Sequence, residues 1–449
     1  MRWVVICGGL LMAAAAAEAE VVVRLKNGRS IRGEVIEQDS KSLRFRTASG
    51  ITTELNAEDI ADIGPAAEAA GPRAPANQPR PAAAPEGPKH SDDCPENCRR
   101  CEQMFRHSLD GLCAKVLVRP QLTPVPVKLD TWPALQVPAS SVLGIVLLGE
   151  GEVGRPGLHQ RTVLQLTRFV STWAERDHPH LQAHRTWAVA FGTLFLAELH
   201  RTAPSASLRR KIQRLVRLLE SSRQGSEGWC HQFERSGYGP FIGVTIWCAA
   251  ALGAAKQQGI DVDEDGVAEA FAALRKSIGQ TGGASYYADQ PSLVSVGRTG
   301  GVLWVLRHYA GLDSAETRRA EGFLARHLDD APNGHASPLM NFGWSALGAG
   351  AAGPKTNRRF WLVHRDTVLQ ARHVSGSFGV QPWKDIGFSA FNEARGPFEA
   401  KGTTWPDRMY GDGWATVWML LTWQAGRGRC VLTASTDGPP ASGKGAPAR

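Results

Sequence analysis

No stretch of this sequence interleaves basic residues with stacking aromatics, so the groove that a nucleic acid requires is missing. The formal charge of +8 is modest, and much of the excess falls on one helix face, at Arg209, Arg210, Lys211, Arg214 and Arg217. After the first residues, the uncharged stretches are mostly shorter than the roughly 20 apolar residues a bilayer span needs. They also contain Gly, Ser, Thr and Asn, so no transmembrane segment is expected in the mature chain. Haem attachment through Cys98-Arg99-Arg100-Cys101 is excluded, because Glu102 stands where a His is required. The string Asp261-Val262-Asp263-Glu264-Asp265 begins like a calcium loop, yet Ala272 occupies the place of the bidentate Glu. It reads instead as a helix start whose acids favour the helix dipole.

What is present divides the chain into segments. Arg2, the apolar run Trp3 to Ala17 and the small-x-small site Ala17-Glu18-Ala19 form a signal peptide over 1–19, and an exported protein is expected. Cleavage removes Cys7, one of eight cysteines, and leaves an odd number in a compartment that permits disulfides. Residues 20–63 alternate with a two-residue period between tight turns at Asn27-Gly28, Asp39-Ser40 and Ser49-Gly50, which predicts five short strands. A Pro/Ala-rich linker follows over 64–90, and a tail of similar character over 433–449 is expected to be disordered. Between linker and main domain, residues 91–118 carry Cys94, Cys98, Cys101 and Cys113. Two disulfides stapling a coreless loop, or a four-thiolate zinc site, both suit that spacing.

The main domain, 120–432, alternates two kinds of helix. Leu208, Ile212, Leu215 and Leu219 recur at helical spacing with basic residues between them, as do Val163, Leu166, Val170, Trp173 and Val267, Phe271, Leu274, Ile278. Each such helix buries one stripe. Between them, 186–197, 241–255, 299–306, 336–353 and 413–425 carry no ionised side chain, and a helix without a polar face must be covered all round. The arrangement that satisfies both is an inner ring inside an outer one: a mainly α fold, an α/α toroid of about five to six helical hairpins preceded by the small β module. Glycine-bearing loops enter the inner helices at Gly225 and Gly228, Gly282 and Gly283, Gly334, and Gly376.

The first of those loops, Gln224-Gly225-Ser226-Glu227-Gly228-Trp229, resembles the Gln-x-x-x-Gly-x-Trp motif of the squalene cyclase and protein prenyltransferase repeats, one residue short. "HASPLMNFGW" at 335–344, "SGSF" at 375–378 and "YGDGWATVWMLL" at 410–421 resemble an uncharacterised exported bacterial subgroup of such toroids. The "LKNGRSIRGEV" opening is similar to SH3-like and Sm-like barrels, which implies an adaptor role. In toroids of this class, reactive residues sit on the loops that rim the cavity. That places Asp412, His335, Arg298 and Tyr410 as candidate catalytic groups, and Trp229, His231, Tyr286, Trp344 and Trp414 as candidate ligand contacts. Arg185 and Cys230 enter at the same end. The cyclase Asp-x-Asp-Asp cluster, the prenyltransferase Asp-x-Cys string and the Cys-His-Gly of lanthionine cyclases are all missing. Zinc on Cys230, His231, His335 and Asp412 is conceivable by analogy, but no metal or other cofactor is assigned. Six-hairpin toroids also host glycan lyases and hydrolases, whose chemistry Tyr410, His335 and Arg298 would suit. Three functions follow: a ligand held in the central cavity, glycan-active catalysis, or a non-catalytic interaction scaffold.

Overall fold

The computed structural model describes residues 21–26, 30–47, 52–65, 94, 95, 98–118, 122, 132–176, 184–234, 239–289, 293–332, 334, 337–379 and 405–433. The expected signal peptide, almost all of the expected linker, all but the first residue of the expected tail, and His335 lie outside them. The chain divides into two compact units, each taken by itself below.

The first unit is an antiparallel sheet of β1 (Val21–Leu25), β2 (Ser30–Gln38), β3 (Ser42–Thr47), β4 (Thr52–Asn56) and β5 (Ile60–Pro65), in the order β4-β3-β2-β1-β5. Period-two alternation turns Val23, Leu43 and Phe45 into a small core, while Arg44 and Arg46 face water and pair with Glu37 and Glu34. The Asp39 carboxylate accepts the backbone N–H groups of Lys41 (2.7 Å) and Ser42 (2.6 Å), fixing the turn and holding its pKa below the usual value. No ladder joins β4 to β5 among the described residues.

The second unit is a closed double ring. Its inner helices are α2 (Trp132–Gly149), α4 (Arg185–Thr202), α6 (Ile242–Gln257), α8 (Val296–His308), α10 (Pro338–Ala351) and α12 (Trp405–Gly426). Each packs on the next, and α12 returns to α2. Its outer helices are α3 (Leu158–Trp173), α5 (Ala206–Ser221), α7 (Glu264–Lys276), α9 (Ala315–Arg326) and α11 (Pro354–Gln370), each against the inner helix that precedes it. The sixth outer helix is α1 (Arg99–Val118), which packs on α12 and α3. The cysteine-bearing segment is therefore not a coreless loop; Phe105, Leu109, Leu112 and Val116 give it a buried stripe of its own.

The charge pattern carries this architecture. From Thr186 to Leu199 only Trp187 escapes full burial, and every residue from Ile242 to Ala255 is buried. α5 exposes its arginines and buries Ile212, Leu215, Val216 and Leu219. Hydroxyl N-caps at Ser205, Ser295, Ser314 and Ser337 start α5, α8, α9 and α10. Inner helices approach closely where glycine removes the side chain: a Cβ on Gly348 would stand 2.4 Å from the Cα of Gly300. Buried charge is rare on the inner helices. Glu198 (3% exposed), just past the neutral stretch, is answered by Arg201 at 2.9 Å and the Tyr309 hydroxyl at 3.5 Å; burial raises its pKa.

The centre of the ring is filled by aromatic rings. Phe191 (α4) meets Trp247 (α6) at 4.1 Å, and Trp247 meets Trp304 (α8), Trp344 (α10) and Trp418 (α12) at 5.5, 6.0 and 5.8 Å between centroids. All five are at most 2% exposed. An open axial cavity at this level, expected from the sequence, is replaced by these indoles. No helix is long and apolar enough to cross a membrane among the described residues.

Candidate functional site

Each outer helix reverses the chain, so the N-termini of the inner helices gather at one end of the ring, and the glycine loops rim it. Gly228 shows why glycine is required there: its φ is 108° and a Cβ would lie 2.2 Å from Thr245 Oγ1. That hydroxyl instead receives the Trp229 N–H at 3.3 Å. Trp229 is fully buried, with its indole N–H donated to the Leu219 carbonyl at 2.7 Å, so it anchors the loop and leaves no face for a ligand.

Beside it, a continuous aromatic array runs across the rim from α4 to α8. Trp187 stacks on His231 at 5.8 Å and donates its indole N–H to His231 Nδ1 at 2.7 Å. That bond requires an unprotonated Nδ1 and leaves the other ring nitrogen as the site of the proton. His231 meets Phe241 at 4.7 Å, and Phe241 stacks on Tyr286 at 5.1 Å and 5° between planes. Tyr287 meets Tyr286 edge-on at 4.8 Å. Trp187, His231 and Tyr287 are half-buried and keep part of their rings toward solvent. The Arg298 guanidinium lies 5.1 Å over Tyr286 and donates to the carbonyls of Leu293 (2.8 Å) and Ala284 (3.3 Å). At 2% exposure, Arg298 holds loop backbone rather than facing a ligand.

Further round the rim, Asp407 is completely buried. Its carboxylate accepts the Ser337 hydroxyl, the Leu339 N–H at 3.2 Å and the Trp414 indole N–H at 2.9 Å. It thus ties the start of α10 to α12 and spans the kink at Gly411, whose φ is 70°. Burial pushes its pKa up to about 7, against the opposing pull of the three donors. Sequence reasoning passed over this residue, because Trp405-Pro406-Asp407 reads as an ordinary turn before a helix. Trp414, 4% exposed, is spent on Asp407, and Trp344, 2% exposed, belongs to the axial cluster; neither presents a free face.

Asp412 is exposed and does not join Asp407 or Arg298. It lines a cleft of about 450 Å³ between α1 and the start of α12, with Ser108, Lys115 and the Ser375–Ser377 turn. The side chain of Tyr410 is not among the described features, and His335 lies outside the described residues. The convergence of Asp412, His335 and Arg298 on one point is therefore not what the described residues present. Cys230, His231 and Asp412 do not form a metal-ligand group either; Cys230 is fully buried and His231 Nδ1 is taken by Trp187.

At the opposite ends of α12 and α2, the ring is sealed by a charge network. Arg427, with 1% of its side chain exposed, pairs with Glu102 of α1 and with the buried Glu150 at 3.6 Å. Gln424 donates to Glu150 at 2.9 Å, and Arg106 joins Glu102, Glu150 and Glu152. His159 stands between Glu152 (2.8 Å) and Asp110 (2.7 Å). Burial lowers the Arg427 pKa to about 9. Near this seam, Cys94, Cys98 and Cys101 come together, their sulfurs all within 4.8 Å of one another. Cys113, the fourth cysteine of the sequence motif, lies apart, buried beside Thr162, and its thiol pKa is raised to about 12 by burial.

Residues 128–405 match a family described as a domain of unknown function, DUF6288. No curated protein matches the chain in sequence. Among solved structures, cellobiose 2-epimerase from Spirochaeta thermophila superposes with a TM-score of 0.46 and 14% identity, covering 74% of this chain and 98% of that one. Unsaturated glucuronyl hydrolase from a Bacillus species superposes with a TM-score of 0.46 and 12% identity, covering 72% and 96%. The resemblance to cyclase and prenyltransferase repeats rests on the first glycine loop alone.

Proposed function

The chain belongs to the DUF6288 family, and on that premise we propose that it is an exported toroid that binds a glycan across the rim formed by its inner-helix N-termini. One observation carries the reading: in the array Trp187–His231–Phe241–Tyr286–Tyr287, the rings of Trp187, His231 and Tyr287 stay partly exposed at the rim around the buried Phe241 and Tyr286, while indoles occupy the axis. The C–H faces of a pyranose pack on such rings, and its hydroxyls find a hydrogen-bonding group at the half-buried Tyr287. A few polar groups set among apolar walls is the usual make-up of a small-molecule site. The N-terminal sheet, read as a barrel, serves as an adaptor.

Affinity electrophoresis of the mature chain through gels carrying neutral or acidic polysaccharides tests this. Retardation by at least one polysaccharide is expected, and Trp187→Ala and Tyr287→Ala each weaken it about tenfold, the loss of roughly one stacking contact. Binding that survives both substitutions, or no retardation by any polysaccharide, removes the proposal.

Glycan-active lyase or hydrolase chemistry on the same rim is the second reading, favoured by the Asp407 carboxyl, whose pKa of about 7 suits a general acid. It requires the Ser337 and Trp414 contacts to open so that substrate reaches Asp407. Release of new reducing ends or of unsaturated sugars, abolished by Asp407→Asn, is the outcome this reading predicts.

A further inference from the structure

The three clustered sulfurs sit where the first and last parts of the ring meet. Cys98 precedes α1 and its Sγ accepts the Cys101 N–H at 3.5 Å, the position of a helix N-cap. A thiolate there is favoured by the helix dipole. Cys94 and Cys101 bring their sulfurs to 3.2 Å, longer than the roughly 2.05 Å of a covalent S–S bond. All three side chains are at most 4% exposed. Pro95 and Trp361 of α11 both border Gly426 at the end of α12, so the cluster is wedged between the entering chain and the α11–α12 pair. Arg365 acts electrostatically on Cys94, and Arg427 on Cys101.

We propose that Cys94, Cys98 and Cys101 form a three-thiolate site for a thiophilic d10 metal ion, zinc(II) or copper(I), that clips the segment preceding α1 to the ring. The geometry suits it. Three thiolates at about 2.3 Å from a zinc ion stand about 3.8 Å apart, between the closest observed pair at 3.2 Å and the 4.8 Å limit of the set. The chemistry suits it as well: soft sulfur ligands select zinc and copper(I) over hard cations. The charges nearly cancel, since three thiolates and one zinc leave a single negative charge beside two guanidiniums. Binding releases the protons of the ligating thiols to solvent. The C-x3-C-x2-C spacing is visible in the sequence; what the fold adds is that Cys113, twelve residues further on, is not part of the set.

The competing state is a Cys94–Cys101 disulfide, formed by loss of two protons and two electrons to an oxidant of the compartment. The test uses the full mature chain, purified and held under a non-metal-binding reductant. Zinc and copper(I) are each titrated against a chromophoric competitor, and cobalt(II) is added in a separate arm for its thiolate charge-transfer absorption. One ion per chain is expected. Cys98→Ser weakens binding at least about 100-fold and removes roughly a third of the cobalt–thiolate intensity, whereas Cys113→Ser changes neither. The zinc and copper arms say which ion is preferred. Circular dichroism of Cys98→Ser separates lost ligation from lost folding. Two results overturn the proposal: no ion retained by the reduced, folded chain, or loss of binding in Cys113→Ser equal to that in Cys98→Ser.

Discussion

Replacing Asp407 by Asn probes the balance of forces at the rim most sharply. The unfolded carboxyl titrates near 3.8, and burial lifts the folded one to about 7. A folded pKa above the unfolded one means that the native state holds the proton more tightly. The resulting stabilisation is complete below the unfolded pKa and is lost as pH rises through the folded one. Three pKa units at 1.36 kcal/mol each make it about 4 kcal/mol, spread between about pH 4 and pH 8. Asn cannot titrate, so the difference in unfolding free energy, wild type minus Asp407→Asn, should fall by about 4 kcal/mol over that range. Any constant cost of setting an amide against the Leu339 and Trp414 donors drops out of this comparison. Urea denaturation followed by tryptophan fluorescence at half-unit pH steps measures it. A difference that stays flat, or grows with pH, would show that the three donors outweigh burial and keep the carboxylate charged.

Other consequences follow from the same structure. Arg427→Ala leaves Glu150 buried without its cation and should cost about 3–5 kcal/mol, read by chemical denaturation. A loss under 1 kcal/mol would mean that Arg106 and Gln424 suffice. Trp247→Ala opens a cavity among four neighbouring aromatic rings and should cost about 3–5 kcal/mol without altering glycan retardation; loss of glycan binding with the fold intact would place the site at the axis. Gly348→Ala forces α10 away from α8 and should lower the Tm by several degrees, whereas Ala349→Gly beside it should have a much smaller effect.

The two-layer ring was legible because charge is a strong discriminator: a neutral helix has nowhere to go but inside. α2 was not foreseen, and its sequence argues against it locally: a proline inside a helix removes a backbone hydrogen bond and crowds the preceding turn. In the fold, Pro133 sits in the first turn, while Pro138 lies inside the helix. α1 escaped because its cysteines suggested a stapled loop, and only closure of the ring shows that α12 needs an outer partner. At the rim, His231 and Tyr286 were named from their place after glycine loops; the structure sets both in the aromatic array, His231 half-buried and Tyr286 buried. Trp229, Trp344 and Trp414 were found by the same rule but are buried, because sequence spacing cannot say which face of an indole a neighbouring helix covers. Asp407 carries no spacing signal; its environment is made by Ser337, seventy residues away.

Hydrogen–deuterium exchange of the mature chain, with and without oligosaccharides of the polysaccharide it binds best, tests the rim assignment most directly. The account predicts protection in 184–191, 229–234 and 284–287, the segments that bear the aromatic array, with the Ser375–Ser377 turn unchanged. Protection confined to that turn and the cleft beside Asp412, or to the N-terminal sheet, would contradict it.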